Sequence, residues 1–209
     1  SGIKNLSRIL SIKSFDNNVV ATSELTTRVT EGTTTIYVTV EVSSSILLLP
    51  EVPMTGRLDN PRVGYFTNPL TNFSDGQQRV NKKQFITRWR LEPRPEDRAA
   101  YLRGELVEPR KPIVFYIENS TPYRWRKYIK QGIEDWQVAF ERAGFKNAII
   151  AKDITEDMEV DMDDVNYSVL TYAASTKANA MGPSILDPRS GEILEADIMW
   201  WHNVLSMLQ

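Results

Sequence analysis

Residues 111–151 constrain the fold of this chain more tightly than any other stretch. They open with an apolar run, PIVFYIE at 112–118, pass through a polar turn of Asn119, Ser120 and Thr121, and reach Pro122. A proline at the first helical position loses no hydrogen bond, and a hydroxyl just ahead of it can accept from an orphan N–H, so a helix is predicted from Pro122. Trp125, Tyr128, Ile129, Ile133, Trp136, Phe140 and Ala143 then recur at three- and four-residue spacing, which places them on one face of a long helix. Gly132 falls on the same face, where a missing side chain would let another backbone approach. Gly144 is the expected stop, because glycine enters the left-handed conformation without strain, and Phe145 is placed to pack back on the last turn. AIIA at 148–151 reads as a second strand, giving a βαβ unit with parallel strands.

The 209 residues suffice for one large or two small domains. A net charge of -2 argues against a nucleic-acid or anionic-membrane surface. The absence of cysteine removes disulfides, thiolate catalysis and thiolate metal sites. No apolar run is long enough to span a bilayer, so no membrane span is expected. Ser1 and Gly2 read as a processing remnant, and the apolar end, WWHNVLSMLQ at 200–209, reads as a helix just beginning in a protein that continues.

Upstream of the βαβ unit, residues 6–15 fit a short helix or a strand equally well. Residues 19–29 are rich in Thr and Val and read as a strand. After a turn at Glu31 and Gly32, residues 33–42 alternate strictly, with Ile36, Val38, Val40 and Val42 on one face, which predicts a half-buried strand. Residues 81–91 read as a further strand; Lys82, Lys83, Arg88 and Arg90 give it one wet face rather than a nucleic-acid strip. Residues 92–110, with Pro93, Pro95 and Pro109, form a connector with room for a short helix. Downstream, the acidic residues of 153–164 lack the glycine of an EF-hand and read as a solvated loop, with a different cation site as the alternative. Residues 167–173 read as a strand, 175–184 as an irregular extended segment, and 184–194 as a hairpin with Asp187 and Pro188 opening its turn and Gly191 ending it; residues 192–200 form the return strand.

No complete catalytic constellation is present. The one histidine, His202, cannot make a catalytic zinc site without several carboxylates, and no Gly-x-Ser-x-Gly elbow presents a serine to it. Phosphate-binding and dinucleotide-binding glycine loops are also missing.

The runs PIVFYIENSTPY at 112–123, GIEDWQVAF at 132–140, AGF at 143–145 and GPSILDPRSGEILEADI at 182–198 resemble metzincin-type zinc metalloproteases. The likeness is to large bacterial members whose N-terminal region is a domain of unknown function, and SILLLP at 45–50, RVGYF at 62–66 and RWRLE at 88–92 resemble that region. The resemblance implies a zinc-dependent peptidase, periplasmic or extracellular, whose His-Glu-x-x-His motif lies outside this chain; no catalytic or metal-ligating residue is assigned within it. It further implies that an edge strand binds an extended peptide by main-chain pairing. By position that edge is Ala178, Asn179, Ala180, Met181, Gly182, Pro183 and Ser184. The remainder of the catalytic domain would dock on residues 200–208. The rival expectation is a non-enzymatic secreted or periplasmic module that binds a protein or glycan with the same edge.

The expected fold is α+β: a β-rich region with its connector over residues 1–108, and a βαβ-based mixed sheet with one long helix over 109–209. With one histidine and no cysteine, the purified chain should be catalytically silent. Chelator-sensitive cleavage of casein by it would contradict this.

Overall fold

The computed structural model describes residues 3–73, 76, 78 and 80–207; Ser1, Gly2, Leu208 and Gln209 lie outside that set, as does any expectation attached to them. The chain divides into two compact units. One comprises residues 1–50 with 163–165, the other residues 51–162 with 166–209.

The first unit is a meander. A 3₁₀ turn, Lys4–Leu6, leads into β1 (Arg8–Ser14), so the undecided stretch at 6–15 is mostly strand. β2 (Asn18–Glu31) and β3 (Thr34–Leu47) form a long antiparallel hairpin around Gly32, and the sheet order is β1-β2-β3. Gly32 has φ +62, as the first central position of a two-residue hairpin turn requires. β3 differs from expectation in burial. Both of its faces are largely wet, with Ile36 50% and Ile46 73% exposed, because no second layer covers its aliphatic side among the described residues. Residues 163–165 join this unit through Asn18, which is 4% exposed. Its Nδ2 donates to the Asp163 carbonyl at 2.7 Å and to Ser45 Oγ at 3.2 Å, and its Oδ1 accepts from the Val165 N–H at 3.3 Å.

The second unit begins with an antiparallel pair, β4 (Thr67–Asn72) and β5 (Asn81–Ile86), followed by β6 (Arg88–Trp89) and a short helix α1 (Arg98–Leu102). Residues 81–91 are therefore two strands in different sheets. β7 (Ile113–Ile117), α2 (Tyr123–Glu134), α3 (Gln137–Arg142) and β8 (Ile149–Asp153) realise the βαβ unit, with β7 and β8 parallel. β9 (Ser168–Ala173), β10 (Ala180–Met181), β11 (Ser184–Asp187), β12 (Glu192–Ala196) and β13 (Ile198–Trp201) complete the strands, and a 3₁₀ segment, His202–Met207, replaces the expected terminal helix. The main sheet has the order β10-β13-β9-β7-β8, and β11-β12-β6 form a smaller one. The class is α+β, and no helix among the described residues is long and apolar enough to cross a membrane.

The core lies between α2 and the main sheet. Ile113, Phe115 and Ile117 of β7, Ile129 and Ile133 of α2, Ala151 and Leu170 are buried together. The helical stretch is interrupted at Asp135 and Trp136, and this changes several expectations. Trp136 is 66% exposed because it sits at the join, as the residue ahead of α3, rather than on a continuous stripe. Gly132 meets nothing within 4 Å of a built Cβ, so it is not a contact point. The helix also begins without a hydroxyl cap: Thr121 Oγ1 is buried without a partner, and Arg126 instead donates to the Thr121 carbonyl at 3.0 Å and the Asn119 carbonyl at 2.9 Å. Gly144 does stop the run, with φ +93 and its Cα edge against the Tyr101 ring, where a Cβ would lie 2.6 Å from Cε2.

Ile129→Ala should cost about 2–5 kcal/mol, since a side chain 4% exposed leaves a cavity. Trp136→Ala should cost under about 1 kcal/mol, since most of its ring is already in water. Urea denaturation of the two variants checks the order, and a larger loss for Trp136 would place the core on the wrong residues.

Candidate functional site: the β10 edge and its carboxylate support

The hairpin turn between β11 and β12 is built on Asp187, which is 0% exposed. Its carboxylate accepts from the Arg189 N–H at 2.9 Å and from the Arg189 guanidinium at 2.7–3.2 Å, and its carbonyl accepts from Gly191 N at 2.9 Å. The Arg189 hydrogen bonds hold the Asp187 carboxyl below the usual carboxylate range. Gly191 has φ +75, and a Cβ there would come within 2.5 Å of the Ile86 carbonyl. Only glycine lets the hairpin lie against the β5–β6 chain, where Arg88 N donates to the Gly191 carbonyl at 3.1 Å. Of the basic residues singled out in the sequence, Arg88 and Arg90 serve this packing. Arg88 Nη2 donates to the Thr55 carbonyl at 2.6 Å, and Arg90 Nε lies 3.1 Å from Glu192.

The return strand expected over 192–200 is two strands. β12 pairs with β11 and β6, β13 pairs with β9 and β10, and Asp197 stands between them. Asp197 Oδ1 accepts from the Val169 N–H at 2.8 Å, and its own N–H donates to the Pro183 carbonyl at 3.0 Å. Ala196 N donates to Ser168 Oγ at 3.1 Å. These contacts redirect the chain from the small sheet into the main one. Beside them Glu195 is 7% exposed. Burial first, then the hydrogen bond and the charge of Asp197, push its carboxyl up to about 8.

The proposed peptide-binding segment divides among several environments. Ala180 and Met181 form β10, paired antiparallel with Trp200 and Met199 of β13 and with no strand on the other side among the described residues. Ala178 and Asn179 precede the strand; the Asn179 carbonyl accepts from Trp201 N at 3.3 Å. That bond fixes the phase, so the N–H of Ala180 points away from β13. It donates to Asn179 Oδ1 at 2.8 Å. Gly182 and Pro183 leave the edge, and Ser184 pairs with Ala196 in the hairpin, so it is not an edge residue. Met181 and Met199 lie opposite each other and are 51% and 37% exposed.

An apolar groove of about 590 Å³ opens between the helices and the sheet, lined by Trp89, Ile133, Trp136, Phe140, Ile198 and Trp200 among others. His202 Nδ1 is hydrogen-bonded to Tyr172 Oη, and the two rings stand edge to face at 5.9 Å. Of the acidic stretch 153–164, Asp153 closes β8 and pairs with Lys130 at 2.5 Å, and Asp163 pairs with Lys13 at 2.8 Å. Among the described residues no three His, Cys, Asp or Glu side chains come together as a metal site. The described residues by themselves do not fit a catalytic zinc. Of the buried carboxylates, Asp187 was expected as the opener of the turn, whereas Glu192 and Glu195 were not singled out in advance, because acidic residues scattered along a strand pattern read as its solvent face.

Glu195 makes stability pH-dependent. Its folded value lies above the ordinary 4.5, so its contribution is complete below that pH and is lost as pH rises through about 8. The urea midpoint should therefore fall between pH 5 and pH 9, and Glu195→Gln should flatten that fall. An equal slope in the variant would assign the dependence elsewhere.

Residues 2–94 match the family described as Domain of unknown function (DUF5117), a description that names no activity. No curated protein and no solved structure matches the chain.

Proposed function

We propose that this chain is the substrate-facing part of a zinc-dependent metallopeptidase, periplasmic or extracellular, and that β10 receives an extended peptide as an added strand. The observation that carries this is the difference between the two edges of the main sheet. At β8 the outward N–H groups of Ile149 and Ala151 are already bonded: Ile149, with Ala148 just ahead of the strand, donates to Gln137 Oε1 at 3.3 and 2.9 Å, and Ala151 donates to Glu134 Oε1 at 3.2 Å. At β10 the outward N–H is held only by the side chain of its neighbour, Asn179. An incoming carbonyl can displace that amide oxygen, and Asn179 then turns to solvent. Met181 and Met199 flank the strand as adaptable apolar contacts for peptide side chains. The zinc ligands would lie outside this chain, on a remainder of the catalytic domain docked against residues 200–208, and no step of this chain's chemistry runs through the metal.

The test uses the longest natural polypeptide that contains these residues. It should carry zinc and hydrolyse peptides in a chelator-sensitive way. Ala180→Pro, which removes the outward donor, should lower kcat/KM about tenfold with zinc content unchanged. A polypeptide without zinc or hydrolysis overturns the peptidase; unaltered turnover in the variant removes β10 from the site. Peptide binding without hydrolysis would favour the non-enzymatic module.

A further inference from the structure

The two edges of the first unit's sheet are built differently. β1 has 7 residues, shifts register between Ile9 and Ser11, and carries Arg8 and Lys13. Short length, a bulge and cations are how sheets prevent pairing with other chains. β3, at the other edge, has 14 residues, TTIYVTVEVSSSIL, with no proline, glycine or cation and only Glu41 as a charge.

The phase of its backbone is fixed by the turn. Glu31 and Thr34 close the two-residue loop, so the even-numbered residues of β3 spend their N–H and C=O groups on β2. Leu48 N continues that phase, donating to the Asn17 carbonyl at 2.8 Å. Thr35, Tyr37, Thr39, Glu41 and Ser43 therefore turn their backbone groups outward. Their side chains share the polar face, where Thr30–Thr35, Thr26–Thr39 and Thr22–Ser43 hydroxyls pair at 3.2, 2.9 and 3.3 Å. Between these rungs the charges are unbalanced. Arg28 lies over the Tyr37 ring at 5.5 Å, without a carboxylate. Glu41 stands opposite Glu24, and Glu24 is held by Arg8 at 3.2 Å. Like charges in that position repel. Among the described residues neither Arg28 nor Glu41 has an ion-pair partner.

We propose that β3 pairs antiparallel with β3 of a second copy of this chain, about a two-fold axis at Thr39. In that register outward-facing residues meet outward-facing ones, as an antiparallel ladder demands. Tyr37 comes opposite the partner's Glu41, and Thr35 opposite the partner's Ser43. On the other face Val38 meets the partner's Val40, and Ile36 the partner's Val42. Each Glu41 arrives beside a Tyr37 that already carries Arg28, so both uncompensated charges are matched twice across the axis. Centring the axis on Glu41 would oppose two carboxylates. Centring it on Val40 would face Glu41 with Thr39, away from Arg28, and Ile36 with Ser44. The contact is isologous and closes as a dimer.

Sedimentation equilibrium on the 209-residue chain tests this. The wild type should be a dimer, and Thr39→Lys, which sets two ammonium groups on the axis, a monomer with unchanged circular dichroism. Glu41→Arg relieves the clash with Glu24 and so keeps the fold, yet should weaken the dimer at least roughly tenfold; adding Arg28→Glu should restore it. A wild type that stays monomeric up to about 100 µM overturns the proposal. So does a dimer indifferent to Thr39→Lys, or a double variant no tighter than the single ones.

Discussion

The strand β8 ends the main sheet, and a strand at an edge must find partners for its outward N–H groups or leave them to water. Here the crossover that created the strand also supplies partners to its first outward N–H groups. Glu134 and Gln137 reach from the helical stretch to the backbone of residues 148–151. They are three residues apart and flank the break at Asp135 and Trp136, so the interruption of the helix and the closing of the edge occur in one place. The arrangement fixes α2 over β7 and β8, which buries Ile129 and Ile133, and β10 lies at the other end of the sheet with no strand on its outer side among the described residues.

Much of this framework was legible in the sequence. The apolar run ahead of Pro122, the spacing of Ile129 and Ile133, and the glycines at 32, 144 and 191 all report local physics, and each lies where local physics placed it. What was not legible depends on partners distant in sequence. Trp136 fits the helical stripe by count, but the turn beside it takes it out of register. Residues 192–200 form an unbroken strand pattern, yet the bond from Val169 to Asp197 splits them between sheets. β4, with Pro69 among polar residues, owes its existence to β5 rather than to propensity.

The candidate edge was legible in outline only. Small residues and a Gly-Pro pair marked the segment, and the strand within it came down to Ala180 and Met181. The buried carboxylates of the neighbouring hairpin were hidden, because a group such as Glu195 cannot be distinguished in a sequence from one facing water until the strands around it are placed.

Asp197 is the only residue between β12 and β13. Strands are stiff along their length, and a one-residue joint has no slack to absorb displacement. A tug on the small sheet, through the hairpin or through β6, is therefore delivered to β13 and to the short strand it holds. The position of β10 would then be set by leverage from the far side of the unit, and on the peptide-binding proposal mechanical load there would tune how readily the end of the sheet accepts another chain.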